Sequence, residues 1–584
     1  MTLAQELLAR VSEWIAADPD PTTASELQAL LDQALGEDRA AAHDLTQRFS
    51  GRLKFGTAGL RAELGAGPQR MNRVVVQQTT AGFVKFLQLR FMQGEIAKKR
   101  VVIGFDARKN SEIFARDAAE IFAGAGFDAH LLPGPLPTPV TAFAVRHLNA
   151  AAGVMITASH NPPNDNGYKV YLGDADAGSQ IVPPVDGLIA EFIDEVAATP
   201  ISDYPRNADG VQLVGAEIIY DYLRATAQSV LGAEQQGAAV HPKLVYTAMH
   251  GVGTAPTVSL FAAAGLPELE LVPEQVEPDD TFPTVAFPNP EEPGALDLAI
   301  TRARVVGADA IIAHDPDADR LAIALPERDA NGAKTDRWKM LTGNQLGLLL
   351  GWRAARQAAA KAAEKGLAVS ALEPQPALAC TIVSSPALKV VADHYGLAYF
   401  ETLSGFKWVS RVPGLVFGFE EALGYLVNPS IIRDKDGISA AVAAAEMLTA
   451  LHAQGKTLWD ELDAAYELFG AFASTQVTVR LESSEAVLAL AERLRQNPPE
   501  QFGTVPVVKY QDLAEHPEST LRANVMRFDL AGGSRVMVRP SGTEPKLKLY
   551  IDVCVTEGTV AERKRAAEGL LVELETAIRK LLAV

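Results

Sequence analysis

The sequence predicts an α/β protein: three similar mixed-sheet α/β domains around a central cleft, with a smaller C-terminal α+β domain. Three observations carry this expectation. A unit of apolar strand, helix and apolar strand ending on a polar loop recurs along the chain; the composition turns to long strand-like runs after about residue 470; and 584 residues, at roughly 150 per domain, make about four domains. With 48 % apolar and 21 % charged residues, the composition is that of a globular chain and far from the signature of disorder. The expected divisions are a helical extension over residues 1–50, α/β domains over 51–215, 216–325 and 326–465, and the α+β domain over 466–584.

Residues 3–35 read as two short helices. Leu7, Leu8, Val11, Trp14 and Ile15 share a face, "DPDP" breaks it, and Thr23 with Glu26 has the spacing of a capping box. The "FGTAGLRAELGAGPQRMN" stretch is rich in glycine and too irregular for an element, which places Arg61 on an ordered loop. In the first repeat "RVVIGFDAR" is a strand, "IFAGAGF" closes a helix, and the strand "AGVMI" delivers the loop of Ser159. In the second, "KLVYTAMHG", "LFAAAGL" and "GADAIIAH" play the same parts and deliver "DPDADR". The third is shorter: "LACTIVSS" is a strand, "VVADHYGL" closes a helix on a left-handed cap at Gly396, and "GLVFGF" delivers Glu420 and Glu421. Ligand groups in such folds collect on loops at strand ends, so the three units can face one cleft. "RAARQAAAKAAEKG" reads as a solvated helix; "FASTQVTVRLE" and "SRVMVRP" are strands of the last domain, and a charged helix closes the chain from about residue 559.

A net charge of −19 argues against a nucleic-acid or anionic-membrane partner, since both require clustered lysine and arginine. Any phosphate site must therefore be locally basic. Cys380 and Cys554 each lie in an apolar strand-like run and read as packed free thiols, which fits a reducing compartment. The N-terminus lacks the basic end and apolar core of a signal peptide, and no run approaches the ~18 apolar residues of a membrane span. A soluble cytoplasmic protein is expected.

Four loops carry chemistry. "HDPDADR" spaces Asp315, Asp317 and Asp319 two residues apart, which lets three hard oxygen donors converge on one cation, and magnesium suits that set. A calcium EF-hand would need glycine and glutamate where this chain has Arg320 and Pro326. In "TASHNPPNDNGYK", a phosphorylated Ser159 would carry about −1.5 to −2 charges, which a divalent ion with His160 or Lys169 can hold. "VRPSGTEPKLK" offers Arg539 for a bidentate phosphate contact, the hydroxyls of Ser541 and Thr543, and Gly542 to free backbone N–H groups. In "GFEEALGY", Glu420 and Glu421 stand between apolar flanks, where carboxylates can accept from sugar hydroxyls.

Together these motifs resemble the phosphohexomutase superfamily of phosphoglucomutases, phosphomannomutases and phosphopentomutases, from about residue 50 to the C-terminus. The resemblance implies that Ser159 is the phosphorylated residue, that Asp315, Asp317 and Asp319 hold magnesium with it, that Glu420 reads the sugar, and that Arg539, Ser541, Gly542 and Thr543 bind the substrate phosphate. It further implies active-site roles for Arg61, His160, Lys169 and Arg320, for Gly405 and Lys407 in "SGFKW", and for Arg433 and Lys435 in "IRDKDG". One departure is Ala422, where many members have serine; with "FEEALGY" and the helical extension it looks like the branch of eukaryotic phosphopentomutase and some bacterial phosphoglucomutases.

The implied reaction interconverts glucose 1-phosphate and glucose 6-phosphate through phosphorylated Ser159 and glucose 1,6-bisphosphate, with ribose 1-phosphate or mannose 1-phosphate as alternative substrates. The only partners implied are small sugar phosphates. Lys169 and Lys435 are both candidate bases, with a depressed pKa as the physical requirement. A haloacid-dehalogenase-like phosphatase would need Asp-x-Asp-x-Thr/Val, and here Leu321 follows Asp319 by two. A sugar-phosphate sensor that has lost turnover is the non-enzymatic rival, against which the retained serine, aspartates and lysines count.

Overall fold

The computed structural model describes residues 4–56, 59–231, 241–329, 332–518, 521–540 and 545–582. These form two compact units, one of residues up to 231 with 241–340 and 428–446, the other of residues 341–427 and 447–582.

The first unit begins with three helices rather than two. Gln5–Ala17 and Pro21–Leu35 are followed by Arg39–Arg48, whose N-cap Asp38 accepts from the N–H groups of Ala40 and Ala41. Ala41, Ala42 and Leu45 join Val11, Leu27 and Leu31 in one small core, with Leu7, Leu8, Trp14 and Ile15 at its margin. The Thr23–Glu26 capping box does not form. Pro21 at the first helical position fixes an earlier start, Asp20 caps by accepting from Thr22, and Thr23 donates its hydroxyl to Asp18 at 2.7 Å instead.

The first sheet runs Leu60–Glu63, Asp165–Leu172, Ala152–Ile156, Arg100–Phe105, Asp128–Pro135 and Val211–Leu213, with Ser179–Gln180 beside Asp165–Leu172. Its central strands Ala152–Ile156 and Arg100–Phe105 are parallel and, Arg100 apart, buried throughout, as their apolar runs require, and its first two strands are antiparallel. Leu60–Glu63 corrects the expectation of a loop: Arg61 lies on a strand, opposite Gly167. Across one face, helix Arg73–Met92 crosses Val185–Val196 at Gly82, where an added Cβ would stand 2.6 Å from Ile193. The second sheet runs Lys334–Met340, Ala322–Arg328, Ala310–Ala313, Leu244–Thr247 and Leu269–Leu271, parallel over its last three strands and antiparallel before them.

In the second unit a four-stranded sheet runs Ala398–Thr402, Ala377–Thr381, Leu415–Glu420 and Gly424–Leu426, with only the last strand antiparallel. Helix Ala387–Tyr395 ends on Gly396 at φ 73°, the left-handed cap expected of it. Helix Gly343–Glu364 contains the alanine-rich stretch but is not solvated all round, because Ala355, Ala358 and Ala362 form a buried stripe. The last sheet is six-stranded and antiparallel, Ala471–Arg480, Lys546–Val555, Arg535–Pro540, Met526–Leu530, Val505–Asp512 and Gln501–Phe502, with helix Val560–Leu582 packed on it. The chain thus has three α/β domains with mixed sheets and a smaller C-terminal α+β domain.

One rule places the chemistry. In each α/β sheet the polar loop is the turn between a parallel strand and its antiparallel neighbour: Ala152–Ile156 to Asp165–Leu172 for Ser159, Ala310–Ala313 to Ala322–Arg328 for the aspartates, Leu415–Glu420 to Gly424–Leu426 for the glutamates. Both cysteines are free thiols. Among the described residues no helix is long and apolar enough to cross a membrane.

Candidate active site

Ser159 is held in the left-handed region at φ 54°, which non-glycine residues seldom adopt, so the surroundings must impose it. They do so from two sides. The Ser159 N–H donates to Thr157 Oγ1 (2.8 Å), whose hydroxyl donates to Asp106 Oδ2 (2.6 Å). Arg108, deeply buried, donates to the carbonyls of Ser159 (2.7 Å), Asn161 (2.6 Å), Pro162 (2.8 Å) and Asp165 (3.2 Å), a fork that fixes the whole loop. The Ser159 hydroxyl then donates to Asp315 Oδ2 at 2.9 Å and lies 3.3 Å from His160 Nδ1.

Asp315, Asp317 and Asp319 are 0 % exposed, and ligand oxygens of the three all lie within 4.8 Å of one another. Their loop is pressed from behind: a methyl at Gly251 would meet Pro316 Cα at 2.4 Å, and one at Gly437 would meet the Arg320 carbonyl at 2.3 Å. Lys169 donates to Asp317 (2.7 Å) and Asp319 (2.9 Å), Thr138 Oγ1 to Asp317 (2.6 Å), and Lys435 pairs with Asp319 at 3.2 Å. Burial, then the charges of Asp317 and Asp319, push the Asp315 carboxyl well above the usual range. Burial acts the same way on Asp317, but Lys169 and Thr138 overcome it and hold that carboxyl below the range. The Oδ1 atoms of Asp317 and Asp319 are buried without a hydrogen-bond partner.

Lys169 departs from the depressed pKa required of a base. Burial lowers it, but the two carboxylates outweigh burial and its pKa lies above the ordinary lysine value. The neighbouring Lys435 lowers it too, but the acids prevail. His160, half-buried, is pushed down by burial and then by Arg320 and Arg61, so its imidazole is neutral at pH 7. Arg61 donates to Asn161 Oδ1 at 3.0 Å, and the Arg320 N–H donates to Asp315 Oδ1 at 3.0 Å. Lys435 is held between two buried acids: Asp434 accepts from Tyr171 (2.8 Å) and Gln180 (2.6 Å), and Asp436 from Tyr222 (3.0 Å) and the Ser439 N–H (3.0 Å). Arg433 sits near Arg146, whose guanidinium donates to the Pro429 carbonyl at 3.2 Å.

In the second unit Glu420 ends its strand, but Glu421 is turned back into the protein. Its carboxylate accepts from Ser384 (2.8 Å) and Thr381 (3.2 Å), and its N–H donates to Ser384 Oγ (3.0 Å), so it clamps the turn that presents Glu420 and Ala422. The Ser384 carbonyl accepts in turn from Arg535, which also pairs with Glu401 (3.1 Å) and Asp552 (2.8 Å). Gly405, at φ 111°, opens the short helix Phe406–Val409 that buries Lys407. Arg539 is exposed and donates to Ser404 Oγ at 3.3 Å. Ser541, Gly542 and Thr543 lie outside the described residues.

Sequence reasoning missed Asp106, Arg108, Thr138 and Asp434. The signal for the first pair was present in "GFDAR", a polar strand end in the same repeat as Ser159.

A serine on a strained loop against three buried acids and two lysines, set on two mixed α/β sheets of the first unit, defines a phosphosugar-mutase architecture, and the comparisons agree. Models of the phosphoglucomutase/phosphomannomutase family match in sequence: alpha/beta/alpha domain I over residues 52–199, domain II over 215–328, domain III over 342–469 and the C-terminal domain over 477–568. The chain belongs to this family of enzymes, within the alpha-D-phosphohexomutase superfamily. It is 46 % identical over 512 residues to a probable phosphomannomutase of Haemophilus influenzae, covering 88 % of this chain and 98 % of that one. It is 35 % identical over 608 residues to the phosphopentomutase of Homo sapiens, covering 97 % and 94 %. The solved structure of a putative phosphomannomutase from Thermus thermophilus shares the fold, with a TM-score of 0.66 at 21 % identity over 91 % of this chain and 100 % of that one.

Proposed function

We propose that the chain is a phosphoglucomutase, interconverting glucose 1-phosphate and glucose 6-phosphate through phosphorylated Ser159 and a glucose 1,6-bisphosphate intermediate. The observation that carries the phosphoserine route, whichever the sugar, is the Ser159 hydroxyl 2.9 Å from Asp315 within the buried triad. A second reading, phosphopentomutase or phosphomannomutase activity on ribose 1-phosphate or mannose 1-phosphate, is favoured by the names of the relatives at 46 % and 35 % identity. The free thiols support a reducing, cytoplasmic compartment.

The donor set fits magnesium: hard carboxylate oxygens, two of them buried without a partner, beside a serine oxygen. Held by Asp315, Asp317, Asp319 and the Ser159 oxygen, magnesium would neutralise charge on the transferring group. The chain's own residues do the rest. Arg108 and Thr157 keep Ser159 in the one backbone conformation that aims its oxygen at the triad, which is positioning done before substrate arrives. Lys169, keeping its proton, balances the acids, and neutral His160 can share a proton with the serine oxygen at Nδ1. Arg61, Arg320 and Lys435 supply positive charge for a phosphoryl group, and with Lys169 protonated Lys435 is the candidate left for the hydroxyl proton. Glu420, Ala422, Gly405, Lys407 and Arg433 are assigned to the sugar, and Arg539 with Ser541, Gly542 and Thr543 to the non-reacting phosphate.

The test is turnover of glucose 1-phosphate with magnesium and a trace of glucose 1,6-bisphosphate, beside ribose 1-phosphate and mannose 1-phosphate. The highest kcat/KM on glucose 1-phosphate supports the reading; a preference for another sugar transfers it to the second, and no turnover with any of them leaves a sensor.

A further inference from the structure

The first matched family model begins at residue 52, yet side chains from before that point grip the chain beside Arg61. We infer that the N-terminal helical extension is a positioning element for Arg61, acting through Arg48 and Glu26; the inference rests on the phosphoryl-transfer reading of the site. Strand Leu60–Glu63 is the edge of its sheet and has one ladder, to Asp165–Leu172. Its second support is the turn that follows. Met71 returns to donate its N–H to the Glu63 carbonyl (2.8 Å), and Gly65 donates to the Met71 carbonyl (3.1 Å).

That turn is held by the extension. Arg48 donates to the Ala66 carbonyl (3.2 Å), Glu26 accepts from the Ala66 N–H (3.1 Å), and the Gln69 N–H donates to the Arg48 carbonyl (3.1 Å). Both backbone groups of Ala66 thus find partners in extension side chains, and its methyl is buried in the extension's core. Arg48 and Glu26 are themselves joined at 2.5 Å, with Asp44 accepting from Arg48 Nε at 3.1 Å. The approach is close enough to demand glycine: Gly67 has φ 102°, and a Cβ there would stand 3.1 Å from Arg48 Cβ and 3.4 Å from the Phe49 ring. At the far end of the same strand Arg61 reaches Asn161, two residues beyond Ser159. An edge strand that slides carries its cation with it, and in a positioned reaction a shift near 1 Å costs up to roughly a hundredfold in rate.

A partly exposed ion pair adds little to stability, so the signature belongs in turnover rather than in melting. Glu26→Ala and Arg48→Ala should each lower kcat roughly five- to twentyfold with KM nearly unchanged, and Glu26→Gln should recover most of it, because its carbonyl still accepts from the Ala66 N–H. In an Arg61→Ala background the same substitutions should cost nothing further. Asp32→Ala, exposed on the Glu26 helix, should leave kcat unchanged. Hydrogen exchange at residues 60–63 should quicken roughly tenfold in Glu26→Ala, a readout that does not depend on what Arg61 does. Unchanged exchange, wild-type kcat in the Glu26→Ala enzyme, or equal losses in both backgrounds would each overturn the inference. Full turnover by Arg61→Ala together with quickened exchange would instead sink the role given to Arg61 and leave the grip on the strand standing. Should Arg48→Ala fail to fold, Glu26→Ala carries the test.

Discussion

Lys169 Nζ lies 2.7 Å from Asp317 and 2.9 Å from Asp319, so a single buried cation bridges two of the three acids of the triad. Lys169→Met should leave both carboxylates short of a partner and lower stability to urea by about 3–5 kcal/mol at pH 7 in chelator. Millimolar magnesium should restore part of that, since an ion bound only by the folded state stabilises it by mass action. If magnesium left the stability of both wild type and Lys169→Met unchanged, no ion would share the triad.

Ser159→Ala should abolish turnover while changing stability by about 1 kcal/mol, the net worth of one hydrogen bond. Intact mass and peptide mapping of active protein should place one phosphoryl group on Ser159. A phosphate found elsewhere, or a Ser159→Ala enzyme with wild-type kcat, refutes the phosphoserine mechanism.

Asp317→Asn and Arg539→Ala should fail in different ways. The first removes a buried triad carboxylate and should lower kcat by orders of magnitude, because charge on the transferring group is no longer neutralised. The second removes an exposed arginine from the proposed cradle and should raise KM, by roughly 1.5–3 kcal/mol for a charged hydrogen-bonding group. Steady-state kinetics with the two effects exchanged would reverse the assigned roles.

Ala422 stands next to the clamped Glu421, so its place in the turn is fixed while its methyl donates nothing to a sugar. Selectivity among sugar phosphates should accordingly be relaxed. Because a neutral hydrogen bond contributes about 0.5–1.5 kcal/mol, Ala422→Ser should change the ratio of kcat/KM for glucose 1-phosphate over ribose 1-phosphate roughly two- to tenfold. An unchanged ratio places the selectivity at Glu420 and the "SGFKW" loop.

Asp117 is buried between Arg73 (2.7 and 2.8 Å) and Arg206 (2.7 Å). Burial alone would raise its pKa, but the hydrogen bonds from Arg73, Gln77 and Arg206 prevail and hold it below the carboxylate value. A folded-state pKa below the unfolded one gives stability that is present above the unfolded pKa, about 3.9, and is lost as pH falls through the folded value. Asp117→Asn should therefore destabilise by about 3–5 kcal/mol at pH 7, with the gap to wild type closing below about pH 4. A gap of constant size across that range would exclude the carboxylate as its source.

What the sequence made legible was local. The spacing of Asp315, Asp317 and Asp319 brings their side chains together within one short loop, and the Gly396 cap follows from a backbone angle that glycine adopts freely. The strand at Arg61 was not legible, because four residues flanked by glycines show no useful period and their partner at Gly167 lies about a hundred positions away. Helix Arg39–Arg48 was missed behind its polar residues, although Asp38 was a readable cap. Arg108 reads as an ordinary charged strand end, and its worth arises only when four carbonyls of a distant loop fold over it. The pKa of Lys169 depends on which charges surround it, and that is a property of tertiary structure alone.

The placement of each chemical loop between a parallel strand and its antiparallel neighbour bears on how such a protein can diverge. A turn closed by its own pair of strands can lengthen, shorten or change its residues without shifting the register of the parallel core behind it. Three copies of one unit could thus inherit the same folding instructions and still come to bear a lone serine, three aspartates and a pair of glutamates. In this architecture reactivity is a replaceable tip, and descendants can exchange substrates without relearning how to fold.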